Sequence, residues 1–331
     1  MRFYILLPAQ GAHIVAATIP DVGPRCAIKR ATVVIDEFWF DHFLLKGHKT
    51  PPTLMTRPEM AGAFWSPEFV CSNLPVDLQL PVESLANYKS ASQRARVGTE
   101  SWGAINLFCP SCSSTRLNPT PRNHAAIDYY CNSCRSPFQL KSQSKTFGTK
   151  VVDAAYSEMK RAILEDRTPN LFVLHYDIEQ WSVRNVILIP HFAFSLSAIE
   201  CRPPLSATAR RAGWIGCNIL LSRIPQDAQI RIVTDGVPVQ PRDIRHAYER
   251  LRPLESLRIQ KRGWTLDVLR VVRGLDKVEF SLHEVYAHAG ALKKIYPLNE
   301  HVHDKIRQQL QVLRDLGLIE FLGDGRYRLC T

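Results

Sequence analysis

The sequence predicts a mixed α/β domain followed by a small α+β domain that ends in a hairpin, and three observations carry that prediction. Two apolar runs, Leu171 to Tyr176 and Val186 to Ile189, have the length and branched content of buried strands and follow a helical stretch. Two Cys-x-x-Cys pairs precede them with 18 residues between. The last quarter of the chain carries helix caps and a glycine-flanked turn at short, regular intervals.

Taken in order, residues 1–84 show no clear period of 2 or 3.6, hold many prolines, and contain an isolated apolar run from Val33 to Leu45. They read as an accessory or poorly ordered extension. A helix is expected over 92–107, a cysteine-bearing hairpin region over 109–141 and a second helix over about 151–165. Strand, helix and strand in that order give an α/β domain with a central sheet, spanning 85–255. Its Arg-rich loop runs from Arg202 to Gly216. Arg, Lys, Pro and Ser then cluster from Arg250 to Gly263, and the domain boundary is placed there.

Beyond it, residues 256–331 carry a helix near 266–272, then Ser281-Leu-His-Glu284, a capping box that opens a second helix. A third runs from about His303 to Leu316, with Ile306, Leu310 and Leu313 on one face and Gly317 placed to end it. Ile319 to Leu322, the turn Gly323-Asp-Gly325, and Arg326 to Leu329 make a two-stranded hairpin. Three helices and a terminal hairpin are the elements of a winged helix; any small α+β cap would share the pattern.

Composition narrows the partners. With 45% apolar and 22% charged residues the chain is globular, and a formal net charge of +11 favours polyanions, nucleic acid or an anionic membrane surface. The most apolar stretch, 3–20, is broken by Pro8, Gln10, Gly11 and His13 before it could span hydrocarbon, and it makes a poor signal peptide. Nine cysteines, partly in Cys-x-x-Cys pairs, suit a reducing cytoplasm and a metal site better than a secreted disulfide framework.

Cys109, Cys112, Cys131 and Cys134 have the spacing of a four-cysteine Zn²⁺ site, with chance spacing or a redox pair as the alternative. A closed four-thiolate site leaves no open position, which assigns it to folding rather than chemistry. Asp128 lies just before the second pair and Phe138-Gln-Leu-Lys141 just after it. An aspartate followed on a neighbouring strand by acid-x-Lys is a pattern of metal-dependent nucleases. Asp128 and Gln139 would hold Mg²⁺, and Lys141 would orient or help deprotonate the attacking water. Gln139 offers an amide where that pattern has a carboxylate, and Glu100 on the preceding helix is the nearest acidic alternative. Ordinary solvated aspartate and lysine remain the plain reading. The loop containing Arg210, Arg211 and Trp214 combines guanidinium groups with an aromatic plane, as phosphate and base contact requires, or as a buried tryptophan ringed by surface arginines would show. On the third C-terminal helix, Lys305, Arg307, Gln308 and Gln311 face away from the apolar stripe, placed for a DNA groove or simply for solvent.

With these pieces in hand, the chain resembles the DpnI-type, methyl-directed restriction endonucleases and their Dam-replacing relatives. The resemblance covers about Leu85 to Leu329. It rests on the two Cys-x-x-Cys pairs and on runs such as Asp128-Tyr-Tyr-Cys-Asn, Leu140-Lys-Ser, Ala207-Thr-Ala-Arg-Arg-Ala-Gly-Trp-Ile-Gly-Cys-Asn218, Arg262-Gly-Trp-Thr265 and Lys305-Ile-Arg-Gln-Gln-Leu-Gln311. It implies a PD-(D/E)xK nuclease domain with an inserted zinc site, then a winged helix, both reading G-A-T-C with methylated adenine in double-stranded DNA. It further implies that Asp128 and Lys141 are catalytic, that Gln139 departs from a glutamate, and that Trp214 senses the methyl group. A methyl-adenine reader that binds without cutting, and a zinc-ribbon transcription factor, are the competing functions.

Overall fold

The structure, a computed structural model, describes residues 2–6, 14–18, 76–81, 85, 88–121 and 126–330. The chain divides into two units, Met1–Pro67 and Glu68–Thr331. In the first, β1 (Arg2–Leu6) pairs antiparallel with β2 (Ile14–Thr18), a hairpin that the search for periodicity over 1–84 did not anticipate. The apolar run 33–45 lies outside the described residues.

In the second unit, α1 (Ala91–Asn106) buries a face of small residues with one large one: Gly98, Thr99, Trp102 and Gly103. Gly103 is required there, because a Cβ would come within 2.4 Å of the Tyr129 hydroxyl, which donates to the Glu100 carbonyl at 2.7 Å. The helix thus closes over the residue that follows Asp128. Beneath it, β3 (Asn118–Pro119), β4 (Tyr129–Tyr130) and β5 (Pro137–Gln143) form one edge of a seven-stranded sheet. The sheet continues through β7 (Asn170–Asp177), β8 (Ser182–Ile189), β11 (Ile230–Thr234) and β12 (Val237–Pro238). Only the β5–β7 pair is parallel, and its crossover carries α2 (Tyr156–Leu164). β7 and β8, buried along nearly their whole lengths, are the two apolar runs read from the sequence, and Phe138 stacks on Phe172 between β5 and β7 at 5.5 Å.

One expected helix is corrected. Residues 150–155 form a strand, β6 (Lys150–Ala155), which pairs with β10 (Gly216–Leu220), itself paired with β9 (Ile199–Cys201). Val151 and Val152 are stiff at χ1 and favour the pleated backbone, and β10 supplies the hydrogen bonds. The helix begins only at Tyr156.

The cationic stretch 250–263, where the boundary is placed, is regular structure throughout most of its length. α3 (Pro241–Leu251) runs into a 3₁₀ turn at Arg252–Ser256, and α4 (Ile259–Gly274) follows directly, ten of its residues buried. Arg262 is 1% exposed and pairs with Asp166, while Arg273 pairs with Asp227. Asp267, buried in the same helix, accepts from Ser197 at 2.8 Å and from Tyr296 at 2.7 Å. Burial pushes its carboxyl above the ordinary range, against those two bonds. Arg262, Arg273 and Asp267 fasten α4 to the preceding α/β part, while Arg252, Arg258 and Lys261 of the same stretch stay exposed.

The C-terminal elements follow the sequence closely: β13 (Glu279–Ser281), α5 (Leu282–Tyr286), α6 (Ala289–Ile295), α7 (Val302–Asp315), β14 (Ile319–Gly323) and β15 (Arg326–Leu329). The capping box is formed in both directions between Ser281 and Glu284. Gly317, at φ +72°, ends α7 where the Leu318 N–H donates back to the Leu313 carbonyl. The turn Gly323-Asp324-Gly325 takes positive φ at all three residues. No helix among the described residues is long and apolar enough to cross a membrane.

Candidate functional site

The four cysteines converge. Their sulfurs lie within 4.8 Å of one another, with Cys109–Cys134 and Cys112–Cys131 each at 3.5 Å, so the donor set fits a tetrahedral Zn²⁺. Each pair sits on a tight turn closed by backbone bonds, Cys109 N–H to the Ser114 carbonyl and Cys131 N–H to the Ser136 carbonyl. Burial pushes the Cys109 and Cys112 thiols up. At Cys134 burial acts the same way, but hydrogen bonds from Ser136 outweigh it and hold the thiol at about 6. A residue that sequence reasoning missed, Arg245 on α3, fastens the first turn: Nε donates to the Cys109 and Cys112 carbonyls, Nη2 to that of Ser114, and the guanidinium lies 4.8 Å over Phe108. Its partners are more than 130 residues away, which no local pattern reveals.

From this staple the chain enters β4 and β5 and brings three of the sequence candidates together. Tyr129 pairs in register with Phe138, and the Asp128 N–H donates to the Phe138 carbonyl at 2.9 Å. At the end of β4 the Asp128 side chain takes over the sheet edge, with Oδ2 accepting the Leu140 N–H at 2.7 Å. Its Oδ1 is left for another partner, and by strand geometry the Leu140 carbonyl emerges on the same edge. Gln139 and Lys141 share one face of β5. Gln139 is 8% exposed, and no described residue hydrogen-bonds its amide. Lys141, a quarter exposed, places Nζ 2.7 Å from Oδ1 of Asp153 on β6, whose side chain is 4% exposed. In the helix expected over this stretch the alternation Val151, Asp153 carries no meaning, and only the strand brings Asp153 to Lys141. The Glu100 carboxylate accepts from Arg96 at 2.6 Å, one turn earlier on α1.

The Arg-rich loop joins the same neighbourhood through β10. Arg210 and Arg211 are exposed, and the Arg211 guanidinium lies 4.8 Å over the half-buried Trp214 ring. Trp214 rests on Gly216, where a Cβ would meet the indole at 2.9 Å, and backbone bonds link Leu205 with both Gly213 and Trp214. Immediately beyond, Cys217 pairs in register with Asp153, so the loop is rooted opposite the carboxylate that holds Lys141.

On α7, Ile306, Leu310 and Leu313 are fully buried, whereas Arg307, Gln308 and Gln311 are exposed and Lys305 is partly so. Lys305 Nζ donates to Gln308 at 2.7 Å and lies 6.0 Å over Trp264, which stacks on Tyr296 at 3.7 Å. Lys305, Gln308 and Trp264 line a cavity of about 410 Å³ with Arg258, Gln260, Lys261 and Asn299. Gln309, between the exposed glutamines, is buried and accepts from Thr265 at 2.8 Å, fixing α7 on α4.

Comparison with protein-family models matches residues 76–257 to DpnI, the Dam-replacing family, and residues 260–329 to the Dam-replacing HTH domain. The first match alone covers more than half of the chain and includes the four cysteines, Asp128, Lys141, Asp153 and Trp214. The chain therefore belongs to the DpnI (Dam-replacing) family of restriction nucleases, with that family's helix-turn-helix DNA-binding domain at its end.

Proposed function

We propose that this protein is a Mg²⁺-dependent PD-(D/E)xK endonuclease that hydrolyses DNA at G-A-T-C sites carrying methylated adenine. The observation that carries the reading is the seating of the Asp128 carboxylate on the edge of β5, beside the face bearing Gln139 and Lys141. Asp128 Oδ1, the Leu140 carbonyl and the Gln139 amide oxygen are the donors for the cation, a hard-oxygen set suited to Mg²⁺. Bound there, the ion supplies positive charge to the attacked phosphate and acidifies water. Lys141 orients the attacking water and takes up negative charge as the phosphate is attacked. Closed by four thiolates, the cysteine site serves as a structural Zn²⁺ centre and takes no part in this chemistry.

In this reading the protein acts as two DNA readers, domains 85–255 and 256–331, in a cytoplasmic setting. Trp214 covers the adenine methyl group with its indole face while Arg210 and Arg211 contact phosphates. α7 of a winged helix enters the major groove, Gln308 and Gln311 offering amides to adenine edges and Lys305 and Arg307 meeting phosphates. Incubating purified protein and Mg²⁺ with fully methylated and unmethylated plasmid tests the whole reading: cutting of the methylated form alone is expected. Selective retention of methylated DNA without cutting would establish instead a methyl-adenine reader, the reading that the missing carboxylate at Gln139 favours.

Two further results are expected. Trp214→Ala should reduce the preference for methylated over unmethylated duplex, measured by competition at fixed salt, by about 1–3 kcal/mol or on the order of tenfold or more; an unchanged preference removes Trp214 from methyl sensing. Arg307→Ala and Lys305→Ala should each lower the slope of log affinity against log salt by about one unit, with sequence preference kept. Equal slopes would take α7 off the DNA.

A further inference from the structure

Resting on the metal-dependent nuclease reading above, the geometry points to a further active-site residue: we propose that Asp153 supplies the second carboxylate of the divalent-cation site, in the place that Gln139 leaves without charge. Asp153 reaches the site from β6, outside the β4–β5 pair, and meets β5 on the face shared by Gln139 and Lys141. Its side chain is 4% exposed. Oδ1 lies 2.7 Å from Lys141 Nζ yet accepts no hydrogen bond of good geometry, so the carboxylate is buried with its acceptor capacity under-used. The ion pair with Lys141 offsets the cost of burying that charge, and the carboxylate keeps lone pairs for a further partner. Gln139, also more than nine-tenths buried, brings to the same face an amide without a hydrogen-bond partner among the described residues.

Charge leads to the same place. A site of two carboxylates and one lysine carries one net negative charge, which a divalent cation turns positive in readiness for a phosphate. Asp128, Gln139 and Lys141 alone are neutral, and an amide oxygen attracts a hard cation far less than a carboxylate does. With Asp153 included, the net negative charge returns. Lys141, a quarter exposed, is then held by Asp153 until the cation takes that carboxylate, and is released toward the water and phosphate. Because Asp153 pairs in register with Cys217, at the root of the Trp214 loop, the same strand pair would tie the cation site to the loop that contacts DNA.

The alternative is a purely structural Lys141–Asp153 pair, and metal affinity separates the two. Mn²⁺ binding to zinc-loaded, full-length protein would be measured by calorimetry or electron paramagnetic resonance for the parent, Asp128→Ala, Asp153→Asn, and the double variant Asp153→Asn with Gln139→Glu. Zinc content and melting temperature report folding for each. Asp153→Asn is expected to weaken Mn²⁺ at least about tenfold, and Gln139→Glu in that background to recover most of the loss, because it restores a carboxylate on the same strand face. If Asp153→Asn fails to fold, the test passes to Asp153→Glu, which keeps the charge on a longer arm and should retain Mn²⁺ binding within about tenfold, where Asp153→Gln does not. Unchanged Mn²⁺ affinity in folded Asp153→Asn, with binding lost in Asp128→Ala, would overturn the role of Asp153 and leave the nuclease reading standing. Absence of any Mn²⁺ binding sensitive to Asp128 would overturn both.

Discussion

Asp128→Ala should abolish DNA cutting while leaving DNA binding close to that of the parent. In the proposed mechanism the cation would contribute several kcal/mol of charge stabilisation at the attacked phosphate, and losing a principal ligand would forfeit most of it, on the order of a thousandfold or more in rate. Binding is spared because neither α7 nor the Arg210–Trp214 loop touches Asp128: their supports are α4 through the Thr265–Gln309 bond, and β9 and β6 through β10. The substitution also removes the acceptor for the Leu140 N–H, which costs about 1–3 kcal/mol of stability at a half-buried edge. Asp128→Asn controls for that, since an amide oxygen still accepts from Leu140 but brings no charge. Single-turnover cleavage and gel retardation on the same methylated duplex check the pair. Near-parental cutting by Asp128→Asn would show that the side chain matters as a sheet-edge cap and not as a cation ligand.

What the sequence makes legible here is whatever its neighbours in the chain decide. The Ser281–Glu284 capping box, the Gly317 helix end and the Gly323–Gly325 turn are local backbone events, written in residues three or four apart, and the structure forms each one. The four cysteines are legible for a similar reason, because a Cys-x-x-Cys turn fixes its own geometry and the spacing between turns is narrow. What stays hidden is decided by distant partners. Val151 to Ala155 spaces its apolar residues acceptably for a helix, and only the pairing with β10, some 65 residues on, makes it a strand. With the strand comes Asp153, invisible until its partner Lys141 faces it. The burial of Arg262 is hidden by the same route: nothing among its neighbours in the chain announces it, and it follows from Asp166, 96 residues earlier. Arg245 on the first cysteine turn and Gln309 on Thr265 complete the pattern, since a polar side chain declares its role only through what it touches.

Removal of Zn²⁺ from the four cysteines should collapse the sheet edge that carries Asp128, and cutting should vanish with it. Structural zinc in small four-ligand sites contributes about 10–16 kcal/mol in isolated peptides, as large as the whole stability of an ordinary domain. Here the segment from Cys109 to Cys134 has short strands, β3 and β4 of two residues each, and beyond the cysteines is held by Arg245 and by the buried Leu117 and Tyr129. Cys131 stands three residues after Asp128, and Phe138, the residue whose carbonyl accepts from the Asp128 N–H, follows four residues after Cys134. Cys131→Ser, which removes a buried ligand, should therefore lower the melting temperature and abolish cutting together, whereas Arg245→Met, which loosens one turn without taking a ligand, should lower zinc affinity less and leave measurable activity. A chelator strips both metals, so add-back decides between them. Mg²⁺ alone should fail to restore cutting, Zn²⁺ alone should restore the melting temperature but not cutting, and the two together should restore both. If a preparation shown by metal analysis to hold no zinc melts as the parent does and cuts at full rate with Mg²⁺, the thiols do not staple the site, and the bonds of the Arg245 guanidinium to the first cysteine turn, with the core contacts of Leu117 and Tyr129, must suffice to hold that edge of the sheet.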